Sequence, residues 1–282
     1  MGLLTKEGIA LFSDIFDYNF SEIYIPKKKK NNGINVICAD LHFPYEKESL
    51  LDKTIEETKG ADTLHIAGDI FDMYTMSPYR KTFYKSFIEE FREAYIKLKL
   101  LAREYPEVYI MITNHDNRPY KRLYDSVPPQ LLPFCHTRII EELIELLPNV
   151  KIVSQKAHGR DVNYITQYKN IIFTHIEKSN ADITKTAQEI YKLLKTKWEE
   201  FYELKPYNIV MQAHNHSSGG VWINSTYIWQ IPCMIDIRSK AFDYVFDGKF
   251  KGSPPSLGYI TCKEVNGKID PNTIHLRRFL EY

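Results

Sequence analysis

Five short groups of residues in this chain combine carboxylates, imidazoles and one amide at spacings that suit metal binding and proton transfer. They are Asp40-Leu41-His42, Gly68-Asp69 with Asp72 three positions on, Asn114-His115-Asp116, His175, and His214-Asn215-His216. In an extended backbone, positions i and i+2 face one way, so Asp40 with His42 and His214 with His216 each present two donors together. Paired imidazoles suit a transition metal, and the carboxylates and amide add oxygen donors without any thiolate. Such a mixed N/O set favours Mn²⁺, with Fe or Zn²⁺ as alternatives. Singly, each group has an ordinary reading. Asp69 after glycine fits a turn or a helix N-cap, Asn114 and Asp116 suit a turn, and His175 reads as a hydrogen-bonded core histidine. Together they suffice for two divalent ions sharing Asp69, at the ~3.5–4 Å separation that clamps an in-line phosphoryl displacement.

Each group sits where an apolar, β-rich run ends: residues 34–40, 63–69, 107–114, 170–175 and 208–214. Between them lie helical patterns at 47–60, ending in Gly60 as a C-cap, at 87–105 and at 181–204. Strands alternating with helices predict an α/β domain whose sheet is substantially parallel, with a ligand crevice at the carboxyl ends of the strands. Beyond residue 220 the pattern reads as antiparallel β, with Asn266-Gly267 as a hairpin turn. Residues 1–33 read as an N-terminal extension, with Lys27–Lys30 as a solvated linker, and residues 34–282 as the domain. His65, His136, His158 and His275 belong to no cluster and are expected to be structural or surface residues.

Bulk composition narrows the class without choosing a function. The 282 residues carry 37 basic and 36 acidic side chains, a formal net charge of +1, so any anion-binding surface must be local. No apolar run approaches the ~18 residues of a membrane span, and Lys6, Glu7 and Asp14 interrupt any signal-peptide pattern. Cys38, Cys135, Cys233 and Cys262 are too far apart in sequence for a zinc or redox motif and read as reduced, mostly buried thiols. The expectation is a cytoplasmic protein with no membrane and no obligate protein partner.

The ordered set Asp-x-His, Gly-Asp-x-x-Asp, Asn-His-Asp, His and His-x-His resembles the calcineurin-like metallophosphoesterase family, over residues 40–216. That family includes protein phosphatases, cyclic-nucleotide phosphodiesterases and repair nucleases of the Mre11/SbcD type. The resemblance implies a four-layer αββα sandwich of two mixed β-sheets flanked by helices. It implies that Asp40, His42 and His216 hold one metal ion, that Asn114, His175 and His214 hold a second, and that Asp69 bridges them. It further implies that His115 protonates the leaving group, that Asp116 orients His115, and that Asp72 braces the metal loop through hydrogen bonds rather than coordinating. Two positions depart from the family pattern: Thr113 and Ala213 stand where glycine is usual.

The implied chemistry is phosphoester hydrolysis by a metal-activated hydroxide. Arg118, three residues beyond His115, either binds a phosphate oxygen or is a plain surface arginine. Residues 76–87 and 117–127 interleave Arg and Lys with Tyr and Phe, a composition suited to phosphate contact and base stacking, or simply to helix starts with buried rings. The leading expectation is a phosphodiesterase or nuclease acting on DNA, RNA or nucleotides. A phosphomonoesterase is the alternative, and a non-catalytic scaffold a further one.

Overall fold

The computed structural model describes residues 5–22, 24–78, 81–132, 135, 138–178, 180–245 and 253–279. The first sheet is built from β1 (Ile34–Cys38), β2 (Thr63–Ile66), β3 (Glu107–Ile110) and β4 (Val150–Ile152), all parallel to their neighbours. A small hairpin, β5 (Gln155–Ala157) with β6 (Arg160–Val162), follows. The second sheet runs β10 (Gly219–Ile223), β11 (Thr226–Gln230), β9 (Ile209–Gln212), β8 (Ile171–Thr174), β7 (Ile165–Tyr168); its inner three strands are parallel and its edges antiparallel. The chain then returns to the first sheet. There β12 (Leu257–Val265) pairs antiparallel with β1 and also with β13 (Lys268–Ile269) and β14 (His275–Phe279). Asn266 and Gly267 form the predicted turn between β12 and β13, both at positive φ (53° and 77°), as a two-residue type I′ hairpin requires.

Three apolar layers show how the sheets stack. One lies between the first sheet and helices α2 (Glu48–Glu57), α3 (Phe87–Glu104) and α5 (Ile139–Glu145), and includes Val36, Leu64, Leu98 and Leu143. A second, with Ile37, Met111, Phe173, Met211 and Ile260, joins the two sheets. The third packs Ile172, Val210 and Ile228 against Ala187 and Ile190 of α6 (Lys185–Leu193). Helix, sheet, sheet, helix is the four-layer αββα order. The period-2 alternation along each strand sends alternate residues to the two faces; Val36 goes outward to the helices and Ile37 inward to the other sheet.

N-terminal to β1, α1 (Lys6–Phe16) lays Phe16 against Phe87 and Phe91 of α3, with ring centroids 6.3 and 5.3 Å away. Lys27–Lys30 are exposed and outside any helix or strand, and Lys27 and Lys29 pair with Glu104 and Glu107 at the α3–β3 corner. The predicted helix over 181–204 is shorter, with α6 passing into a π turn at Leu194–Trp198 where Thr196 leaves helical geometry. Strands β4 to β7 are three or four residues long, too short for their alternation to stand out in sequence. Cys38, Cys233 and Cys262 are buried thiols and Cys135 is half-buried. His65 is buried in β2, where burial and the charges of Lys169 and Lys29 push it down to about 3, so it is neutral. His158 and His275 are exposed, and His136 lies outside the described residues.

Candidate metal centre

The first two loops are sewn together before any side chain is considered. Beyond the ends of β1 and β2 the backbone keeps pairing: Ala67 N–H to the Cys38 carbonyl, Asp40 N–H to Gly68, His42 N–H to Asp69 and Phe43 N–H to Ile70, at 2.7–3.1 Å. The strands themselves stop one to four residues earlier than their apolar runs predict, and the ligand loops after β1, β2 and β9 turn into left-handed geometry. Asp40, His42, Asp69, His214 and His216 have φ of 50°, 52°, 47°, 73° and 56°. Each such non-glycine residue costs about 1 kcal/mol or more. Five of the seven predicted ligands carrying that cost marks a place where geometry serves something other than stability. Gly68 is obligatory for a second reason. Its φ is 98°, and a Cβ there would lie 2.4 Å from His175 Nδ1 and 2.7 Å from Thr113.

The side chains converge at the common edge of both sheets. Asp40, His42 and His216 bring donor atoms within 4.8 Å of one another, as do Asp69, His175 and His214. Asp69 faces both sets: its Oδ2 is 3.1 Å from His175 Nε2 and 4.0 Å from His42 Nε2. His42 Nε2 and His216 Nε2 are 3.3 Å apart, and His216 Nε2 is 3.6 Å from Asp40 Oδ1. Tautomers follow from the outer partners. His175 Nδ1–H donates to the Ala67 carbonyl (2.9 Å), which can only accept, so its Nε2 faces inward. Burial works against a charge on this ring, but Asp69 and Asp40 outweigh it and lift its pKa to about 9, so a metal ion would displace the Nε2 proton. His42 Nδ1 meets Asp72 Oδ1 at 2.8 Å, aiming its Nε2 inward likewise.

These residues fit divalent cations. Asp40 Oδ1 and Asn114 Oδ1 are buried and have no hydrogen-bond partner among the described residues, and His175 Nε2 beside them faces Asp69 Oδ2 at 3.1 Å. An unsatisfied buried polar atom costs about 1–3 kcal/mol, and two such oxygens beside an inward imidazole nitrogen are the donors a cation would satisfy. Asn114 is flanked by Thr113 and His115, both of which bond Asp69. Electrostatics agree with the geometry. Burial lifts Asp40 to about 6, with Asp69 adding repulsion against the pull of His175. Burial also works against the Asp69 charge, but His175 and His115 outweigh it and hold the carboxyl well below the usual range. His214 is pushed down to about 3 by burial and by His175, leaving a neutral imidazole, the form that binds metal.

One predicted role is overturned. Asp116 does not orient His115. Its carboxylate accepts from the Thr113 N–H three residues earlier (2.9 Å) and from the Phe71 N–H (2.9 Å), so it turns inward and ties the third loop to the second. Burial and the nearby Asp69 lift it to about 7. The carboxylate that holds His115 is Asp72, whose carbonyl and Oδ1 lie 3.1 and 3.2 Å from His115 Nδ1. Asp72 thus braces His42 and His115 with one oxygen, and their contacts hold it well below the usual carboxylate range against the opposing effect of burial.

Arg118 packs onto the same imidazole. Its Nη2 lies 2.9 Å from His115 Nε2 and its Nη1 donates to the Asp72 carbonyl at 2.7 Å. A guanidinium cannot accept, so Nε2 is the acceptor and His115 is neutral with its proton on Nδ1. Burial lowers the His115 pKa, Asp69 opposes that, and Arg118 reinforces it; the net direction is down.

Thr113 and Ala213, where glycine was expected, have no positive φ, so neither backbone is strained. Thr113 Oγ1 donates to Asp69 Oδ1 (2.6 Å) and accepts from the Asp69 N–H (2.7 Å), clamping the shared carboxylate through its own side chain. No spacing rule in the sequence signals that contact. A separate cavity of about 190 Å³ between the sheets is lined by His65, Tyr109, Met111, Tyr168 and Phe173 and holds none of the predicted ligands.

No family model and no curated protein matches the chain. Solved structures do. Vps29 from Chaetomium thermophilum is 9% identical with a TM-score of 0.42, covering 87% of this chain and 95% of that one. A protein described as a novel archaeal phosphodiesterase is 11% identical with a TM-score of 0.41, over 87% and 98%. Vps29 from Entamoeba histolytica, a D62A mutant, is 10% identical with a TM-score of 0.39, over 88% and 99%. At such values a functional reading must stand on the residues of this chain.

Proposed function

We propose that this chain is a calcineurin-like metallophosphoesterase that hydrolyses a phosphodiester in nucleic acid or a nucleotide with two divalent metal ions, Mn²⁺ first among them. The observation that supports it most is Asp69. One carboxylate oxygen faces donors from both sheets while its partner oxygen is fixed by the Thr113 hydroxyl and the His115 N–H. Asp40, His42 and His216 would hold one ion and Asn114, His175 and His214 the other. Bound there, the ions supply charge neutralisation at phosphorus and a water acidic enough to serve as nucleophile near neutral pH.

The chain's own groups account for the rest. Asp72 holds the His115 ring by Nδ1–H and leaves Nε2 toward the cleft, where the leaving oxygen needs a proton. Arg118 occupies that nitrogen in the absence of substrate. A phosphate oxygen is a stronger acceptor for a guanidinium than an imidazole nitrogen, so substrate draws Arg118 onto itself and frees Nε2. The arriving negative charge also favours uptake of a proton from solvent at Nε2, giving the imidazolium that passes this proton to the leaving oxygen. Substrate binding therefore prepares the proton donor.

The test is hydrolysis of bis(p-nitrophenyl) phosphate and p-nitrophenyl phosphate by chelator-treated protein, with and without added Mn²⁺. The expected result is Mn²⁺-dependent cleavage that favours the diester. Preference for the monoester would make the protein a phosphomonoesterase, and absence of both activities in protein that binds Mn²⁺ would contradict the hydrolase reading.

A further inference from the structure

Three cations beside the metal centre aim at one stretch of backbone. Arg118 and Arg122 lie four residues apart on α4 (Arg118–Ser126), hence on one face and about 6 Å apart along the axis. Arg118 Nη1 donates to the Asp72 carbonyl, Arg122 donates through Nε and Nη2 to the carbonyls of Met76 and Ser77 (3.1 Å each), and Lys81 Nζ donates to that same Ser77 carbonyl. Two positive side chains thus share one neutral oxygen. Capping the short 3-10 turn Tyr74–Met76 accounts for Arg122 alone; a second cation on the same atom adds repulsion. Asp72 lies 3.6 Å from Arg118 and is already bonded to His42 and His115. Among the described residues no carboxylate oxygen forms an ion pair with Arg122. Burial and the charges of Arg118 and Arg122 hold the Lys81 ammonium below the usual lysine range, an independent sign that positive potential accumulates here.

The cations form a line. Arg118 touches His115, and Arg122 with Lys81 lies one helical turn further from the metal centre, as successive phosphates do along an extended strand. Tyr84, on the segment that carries Lys81, faces solvent (93% exposed) and supplies a ring on which a base stacks. We propose that Arg122 and Lys81 form a second phosphate subsite that takes the phosphodiester adjacent to the one cleaved, so that the substrate is a single-stranded oligonucleotide. This deepens, and for its cleavage arm rests on, the phosphodiesterase reading above. A mononucleotide, a cyclic nucleotide or a phosphomonoester would leave the second subsite empty.

Binding and cleavage separate the two proposals. Anisotropy of a labelled short oligothymidylate is measured in chelator, over a salt series, for the full chain and its R122E, R122Q, R122K and K81Q variants. The expected result is binding weakened about tenfold in R122E, with the slope of log K against log salt lowered by about one in R122Q and in K81Q. R122K keeps the charge but loses the forked carbonyl contact, so it should restore the slope; failure to do so would assign Arg122 to holding the turn. With Mn²⁺, the ratio of oligonucleotide to bis(p-nitrophenyl) phosphate kcat/KM should fall about tenfold in R122E. Equal oligonucleotide binding by wild type and R122E overturns the subsite. Cleavage of the small diester without oligonucleotide binding also overturns it while sparing the phosphodiesterase reading; binding without any cleavage does the reverse.

Discussion

Asp69→Asn should abolish the Mn²⁺-induced rise in thermal stability and lower diester turnover by roughly 10³-fold or more, the equivalent of several kcal/mol of lost metal assistance. Asp69 is a side chain through which the two halves of the fold meet at the site. Its Oδ2 lies 3.1 Å from His175 on the second sheet and 3.8 Å from His115 on the first. Its Oδ1 is held by Thr113 and by the His115 N–H. Asparagine preserves shape but removes the negative charge and turns one acceptor into a donor, so it offers neither ion a shared ligand. Ligand that binds only the folded state stabilises by about 2.7 kcal/mol at a hundredfold excess over Kd. Wild type should therefore melt higher with Mn²⁺, and the variant should melt alike with and without it. Differential scanning fluorimetry reads the first effect and the diester assay the second. A Mn²⁺ response retained in Asp69→Asn would remove Asp69 from the centre.

His115→Ala should behave differently: metal uptake retained, turnover down ~10²–10⁴. The ring contributes no donor in the two ligand groups built on Asp40 and on Asp69. Its hydrogen bonds are with Asp72 and Arg118. Removing it leaves Asp72 bonded to His42, so the metal loop keeps its brace. Loss should be smaller for a diester with an acidic leaving group such as p-nitrophenol, which needs little protonation, than for an alkyl leaving group. A uniform loss across leaving groups, or loss of metal uptake, would count against the proton-donor role.

Much of this was legible in the sequence because the chemistry sits where apolar runs stop. Asp40, Asp69, Asn114, His175 and His214 each end a run that folds as an inner strand, and parallel strands place their carboxyl ends together. The hairpin at Asn266-Gly267 was legible because type I′ geometry admits few residues. What was not legible is direction. Adjacent residues in a tight turn diverge, so Asn-His-Asp could not show that Asp116 turns inward to its own backbone while Asp72, more than forty positions earlier, reaches His115. Thr113 was visible as a departure from a family pattern, yet its compensation, a hydroxyl clamp on Asp69 beside a glycine without a Cβ, exists only in three dimensions. The packing of residues 5–22 onto α3 escaped notice because Phe16 and Phe20 find their partners about seventy positions away.

Strained loops and unsatisfied donors at one sheet edge should take up two metal ions, which titration calorimetry of chelator-treated wild type with Mn²⁺ measures. Two equivalents taken up saturably, with uptake lost in Asp69→Asn, is the predicted result. No saturable uptake of Mn²⁺, Fe²⁺ or Zn²⁺ by folded protein would contradict it.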